Sequence, residues 1–179
     1  MCELKIRLEQ HKMWLLDNDT GKRFVVEVGA DLRSADLRSA NLRYANLRYA
    51  DLSYADLSLI KKDFLGRLLM AKNEAKGLFD YLMKGKVSGS SYTGECACFV
   101  GTIANITKER YTNLSSGLKP DDSSPTERWF FGILVGDTPE NSQVSKITCE
   151  WVQEFCKEHA IVLPEYKTVS SDECPEAFK

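Results

Sequence analysis

Six tandem copies of a five-residue unit run from Ala30 to Leu59: ADLRS, ADLRS, ANLRY, ANLRY, ADLSY and ADLSL. A strict period of five fits neither the 3.6-residue period of a helix nor the two-residue alternation of a strand. Each unit places Ala first (Ala30, Ala35, Ala40, Ala45, Ala50, Ala55) and Leu third (Leu32, Leu37, Leu42, Leu47, Leu52, Leu57). One small and one large apolar residue in every five predicts a square-sided coil. Leu fills its interior, Ala lines the wall where backbones pass closely, and the other positions face water. One coil cannot bury such a stripe, so coils must stack on one another.

The Ala-(Asp/Asn)-Leu pattern, held through six consecutive units, resembles the pentapeptide-repeat family. The resemblance implies a right-handed quadrilateral β-helix with four units per coil, and residues 23–29 would supply a degenerate lead-in. Members of that family are known as mimics of duplex DNA that bind topoisomerases, or as spacers and interaction modules. Here Asp31, Asp36, Asp51 and Asp56 balance Arg33, Arg38, Arg43 and Arg48. Duplex DNA carries about one charge per 1.7 Å of axis, so a short neutral stub does not resemble it electrostatically. The arginines occupy one place in successive units and pair with aspartates on a solvated surface. Arg33, Arg38, Arg43 and Arg48, with Tyr44, Tyr49 and Tyr54, are the candidate binding face for a protein partner. Direct nucleic-acid contact by arginine and stacked tyrosine is a second use of the same face.

Composition sets the outer bounds. With 179 residues and 43% apolar content the chain has material for one sizeable domain or two small ones. A net charge of −2 attracts it neither to nucleic acid nor to an anionic membrane. No apolar run approaches a membrane span, and MCELKIRLEQ lacks a signal-peptide pattern, so the expected location is the cytoplasm and no membrane partner is expected. Six cysteines (Cys2, Cys96, Cys98, Cys149, Cys156, Cys174) are then reduced thiols. Neither Cys96-Ala-Cys98 nor the seven-residue spacing of Cys149 and Cys156 fits a structural zinc site; the second pair reads as one buried helix face.

Four regions follow. Residues 1–22 carry an amphipathic helix over 4–16 that caps the coil; a hairpin turning at 18–22 is the rival reading. Residues 23–59 hold the β-helix. Residues 60–163 form an all-α bundle of about five helices, giving an α+β chain overall, and 164–179 are a peripheral tail. The expected helices span 60–71, 74–84 (capped by Asn73, ending at Gly85), 95–106, 125–135 and 142–159. The fourth opens with Ser124-Pro-Thr-Glu127, a capping box with proline at the first helical position.

Chemistry could sit in the loop SGSSYTGEC, residues 88–96, where Cys96 falls close to an expected helix start that would lower its thiol pKa. Tyr92-x-Gly94-x-Cys96 resembles the nucleophile region of one class of cysteine peptidases. That resemblance implies Cys96 as nucleophile and His159 as base, although the bundle offers no strand to carry the histidine. Packing of Cys96 at the helix start is the competing reading. Tyr92, Glu95, Asp137 and Glu140 are candidate ligand-binding residues if the 88–95 and 136–141 loops converge on a pocket; as turn and helix-start residues they would be structural. No P-loop, Rossmann glycine pattern or zinc-protease motif occurs, and neither cofactor nor metal is expected.

The whole chain also resembles a group of small phage and prophage pentapeptide-repeat proteins, on Gly94-Glu-Cys-Ala-Cys98, Gly101-Thr-Ile-Ala-Asn105 and Gly136-Asp-Thr-Pro-Glu-Asn141. This implies a non-enzymatic mobile-element protein that docks on and inhibits a host protein complex. That complex would handle DNA or RNA or serve antiviral defence, the inhibitor being of anti-CRISPR, anti-restriction or topoisomerase-inhibitor type. Alternatives are a small-ligand or cysteine-dependent hydrolytic protein using Cys96, and a homo-oligomerisation module joined through its coil ends.

Overall fold

The computed structural model describes Ile6, Gln10, Met13, Leu32, Arg33, Ala35, Leu37 and the continuous stretch 51–166. Ile6, Gln10 and Met13 are helical. The rest of the expected capping helix, Arg38, Arg43, Arg48, Tyr44, Tyr49, the thiols Cys2 and Cys174, and residues 167–179 lie outside the described residues.

Where the repeats are described, their backbone bonds reach across the sequence. Leu32 N–H donates to the Asp51 carbonyl (2.8 Å), Leu37 N–H to the Asp56 carbonyl (3.2 Å), and Asp56 N–H to the Ala35 carbonyl (2.8 Å). Partners are thus 19 residues apart in two bonds and 21 in the third. The bridging positions stand 20 apart, the length of four five-residue units. Leu32, Leu37 and Leu52 are buried and Ala35 nearly so, as the Ala/Leu pattern requires. No strand occurs among the described residues. Two described units turn as soon as they have bridged: Ala35 N–H returns to the Leu32 carbonyl and Ala55 N–H to the Leu52 carbonyl. A side that short holds one bridge and no ladder.

The helical rhythm begins earlier than expected. Helix α1 spans Ser58–Met70, because Asp56 accepts both the N–H (3.1 Å) and hydroxyl (2.7 Å) of Ser58 and bends the chain into the first turn. Its inward face is Ile60, Phe64 and Leu68, at i, i+4 and i+8. Leu69, one residue round from Leu68, is exposed. A 3-10 turn, Lys72–Glu74, takes Asn73 into its middle, so Asn73 caps nothing; α2 follows at Ala75–Met83 and stops at Gly85, whose φ is +63°. Helix α3 is Phe99–Thr107, α4 is Pro125–Phe130 and α5 is Gln143–Glu158. Helix α4 ends five residues short of expectation. Asp137 accepts the Leu134 N–H (2.9 Å) and Ile133 N–H returns to the Phe130 carbonyl (2.9 Å), so turn bonds replace helical ones.

Helix α2 packs on α5 and α3, α1 on α4 and α5, and α3 on α4. An aromatic group fills the centre. Phe64 meets Phe99 edge-on at 5.6 Å and lies 5.9 Å from both Phe130 and Trp151, while Trp129 packs on Trp151 at 5.3 Å. The Trp129 indole N–H, buried with its ring, donates to Thr148 Oγ1 at 2.8 Å. Tyr166, inside the segment expected to be peripheral, instead lies edge-on against Phe79 (5.7 Å), and its hydroxyl donates to Asp80. Among the described residues no helix is long and apolar enough to cross a membrane.

Candidate functional site: the cleft beside the last repeat

The last repeat unit and α5 enclose a cleft of about 510 Å³. One wall is residues 52–58; the other is Gln143, Lys146, Ile147, Glu150 and Trp151, with Lys61 at the end. One long-range bond joins the two walls, and a second joins α1 to α5 beside them. Leu52 N–H donates to Gln143 Oε1 (3.2 Å), and the Lys61 ammonium bonds Glu154. The side-chain amide thus meets a backbone donor on the open edge of the unit, where a further unit would otherwise bond.

Tyr54 stands at the mouth, 90% exposed, in a turn closed by Ala55 N–H on the Leu52 carbonyl. Its φ is +61°, the left-handed conformation that a bulky aromatic rarely adopts. The turn projects the ring into solvent rather than onto the core. Exposed ammonium (Lys146) and carboxylate (Glu150) groups one helical turn apart on α5 give the cleft mixed charge, and Ile147 and Trp151 give it an apolar floor.

The register of 20, the buried Leu32, Ala35, Leu37 and Leu52 and the turns after Leu32 and Leu52 set the repeat side of the cleft apart from the helical side. A family model for pentapeptide repeats matches residues 28–60, in eight copies. Residues 28–60 carry pentapeptide repeats. The pentapeptide-repeat segment ends three residues into α1, and the match leaves 1–27 and 61–179 uncovered. No curated protein and no solved structure matches the chain.

The residues singled out in the sequence are scattered by the fold. Arg33 of the repeats is exposed and lies 3.7 Å from Asp51, the pairing expected of a solvated surface and worth little. Cys96 is not at a helix start: Cys98 is the N-cap of α3, and Cys96 lies in the loop before it, half-buried. The correction has a physical origin. The parallel bridge of Val87 with Ala97, with Cys98 N–H on the Ser91 carbonyl (2.7 Å), holds 96–98 extended and delays the helix. The thiol that does sit at the helix terminus, Cys98, is buried, and burial raises its pKa far above the ordinary thiol value. His159 bonds the Phe155 carbonyl through Nδ1 (2.8 Å) and stacks on the Phe155 ring, so its imidazole is held against its own helix.

The two loops do not present their acids to one pocket. Glu95 is exposed and pairs with Lys86 at 2.9 Å, which lowers its pKa. Asp137 is fully buried as the brace of its turn, and its carbonyl accepts Ser145 Oγ at 3.3 Å. Glu140 is exposed. Tyr92 stacks on Tyr111 at 5.5 Å, and burial raises its phenol pKa. Among the described residues no group of three or more His, Cys, Asp or Glu side chains is arranged to hold a metal ion. Cys149 and Cys156 are buried on α5, and burial pushes the Cys149 thiol up to about 12.

The thiols offer a direct check. Iodoacetamide is expected to label Cys96 well before Cys98, Cys149 and Cys156 in the native protein, because of these four only Cys96 is not buried. Peptide mass spectrometry over a time course reads the order. Equal labelling of Cys96 and Cys98 would contradict the packing of the 88–98 loop.

Proposed function

We propose that this protein is a non-enzymatic docking protein, in which the pentapeptide-repeat segment and the adjoining cleft present one fixed surface to a partner protein. The observation that carries the reading is the bond that closes the cleft: Leu52 N–H on Gln143 Oε1 holds the repeat wall against α5. A prebuilt cleft loses little freedom on binding. The repeat segment itself is read as a right-handed quadrilateral β-helix, supported by bridging positions 20 residues apart.

The resemblance to small phage and prophage proteins points to a partner within the cytoplasm of a bacterial host. It would be a complex that handles nucleic acid or serves antiviral defence, which docking would inhibit. Balanced Asp and Arg in the repeats favour a protein partner over mimicry of duplex DNA. The test is affinity capture from host lysate, with nuclease present, by the full chain and by a variant combining Arg33→Glu and Lys146→Glu. Both residues are exposed, so circular dichroism should be unchanged. A stoichiometric protein partner retained by the wild type is expected to bind the variant at least about tenfold more weakly, a loss of about 1.4 kcal/mol. Equal capture by both removes this face from the interface, and a partner lost on nuclease treatment transfers the reading to nucleic acid.

A further inference from the structure

Neither the repeats nor the cleft uses the buried Glu127. Its side chain is only 1% exposed, in the first turn of α4. The capping box has only one of its two bonds: Ser124 Oγ accepts the Glu127 N–H at 3.2 Å, but Ser124 N–H goes to the Asp121 carbonyl. The Glu127 carboxyl turns inward instead, toward the Cys98 thiol and the Val100 N–H at the start of α3. Its Oε1 is buried without a hydrogen-bond partner.

Arg67 of α1 lies across from it. Arg67 Nη2 donates to the Lys119 carbonyl at 2.9 Å and stands 3.6 Å from Glu127 Oε1, close enough to attract but outside hydrogen-bond range. Arg67 Nε is also buried and unpaired. One nitrogen therefore sits between two acceptors and bonds only one. An ionised carboxylate would draw the guanidinium into a forked pair and satisfy both orphaned atoms. A neutral carboxyl exerts no such pull, and the arrangement observed is the one a neutral carboxyl permits.

We propose that Glu127 and Arg67 form a proton-operated latch. With Glu127 protonated, Arg67 holds the Lys119 carbonyl and fastens the segment 109–124 to α1. With Glu127 ionised, Arg67 turns to the carboxylate and the segment is released. The charged and titratable neighbours are Asp63 and Arg67 on α1, Tyr92 in the preceding loop, Cys98 at the α3 cap, Asp121 and Asp122 in the segment itself, and Arg128 on α4. Asp63 is already engaged, accepting the Thr126 N–H (2.9 Å) and hydroxyl (2.5 Å), and it keeps α4 on α1 in both states. Burial pushes the Glu127 carboxyl up to about 7, against the opposing pull of Cys98, Arg67 and Val100, so the exchange falls near neutral pH.

The latch is independent of the docking reading and is tested on the full chain without a partner. Amide hydrogen exchange is measured at Asn113 and Gly117, whose N–H groups bond the Arg110 and Leu114 carbonyls within the segment. After correction for intrinsic rates, protection in the wild type is expected to fall about tenfold between pH 6 and pH 8. Glu127→Gln, which cannot ionise, should keep the pH 6 protection at both. Matching pH profiles in the two proteins, or a flat wild-type profile, overturns the proposal. If the glutamine variant does not fold, wild-type infrared spectra serve instead. A buried carboxyl band must disappear between pH 6 and pH 8, and its absence overturns the latch.

Discussion

Gly89→Ala is expected to lower the stability of the helical body by about 3 kcal/mol or more. The reason is a backbone crossing. The strand-like residues after Val87 run directly over the end of α4, with Gly89 N–H on the Ile133 carbonyl at 3.0 Å. A Cβ at Gly89 would stand 2.0 Å from the Phe130 carbonyl oxygen, 2.3 Å from its carbon and 2.4 Å from Phe131 Cα. All three are main-chain atoms, so no rotamer change makes room. The loop or α4 must move, and either movement disturbs Phe130 in the aromatic centre. The same substitution at Gly66 is the control. Gly66 is exposed within α1 with nothing near its Cα, so alanine there should gain about 0.5–1 kcal/mol from helix propensity alone. Urea midpoints at constant slope read both. An alanine at position 89 within about 0.5 kcal/mol of wild type would show that the loop does not cross α4 as described.

Phe64→Ala should cost about 3–5 kcal/mol. Phe64 is fully buried and touches rings from α3, α4 and α5 at once, at 5.6–5.9 Å. Removing it leaves a cavity bordered by Phe99, Phe130 and Trp151, whose backbones belong to three different helices and cannot all close in. The loss should appear both in the urea midpoint and in near-ultraviolet circular dichroism, because Trp151 loses one of the two rings described against it, keeping only Trp129. A cost below about 1 kcal/mol would mean that the aromatic group is not the centre of the core.

What could be read from the sequence divides along contact range. The five-residue period revealed the repeat unit because the spacing is local, and residues 30–59 contain their own pattern. Ser124-Pro-Thr-Glu127 and Ser142 marked the starts of α4 and α5 correctly, since a cap is decided within four residues. Local sequence places Cys96 near a helix start, but the bridge that keeps 96–98 extended comes from Val87, on the far side of a loop. The length of α4 was overestimated because an unbroken apolar run, Trp129 to Val135, gave no sign that Asp137 would fold back to cap Leu134. Glu127 was read only as half of a capping box. A carboxylate inside Pro-Thr-Glu-Arg-Trp-Phe-Phe was the available signal that it would be buried, but its partner Arg67 is 60 residues away. The cleft was illegible for the same reason, its two walls lying at opposite ends of the helical region.

The bond between Leu52 and Gln143 also fixes an order of events. The two residues are 91 positions apart, so during synthesis the repeat edge emerges long before the side chain that covers it. At about 5–20 residues per second, that edge waits on the order of 5 to 20 seconds for α5. Throughout that interval the nascent chain carries an open, apolar-backed rim with an unpaired donor. The repeats are therefore completed only when the last helix leaves the ribosome, and a chain stalled anywhere before Gln143 would present that rim to its surroundings.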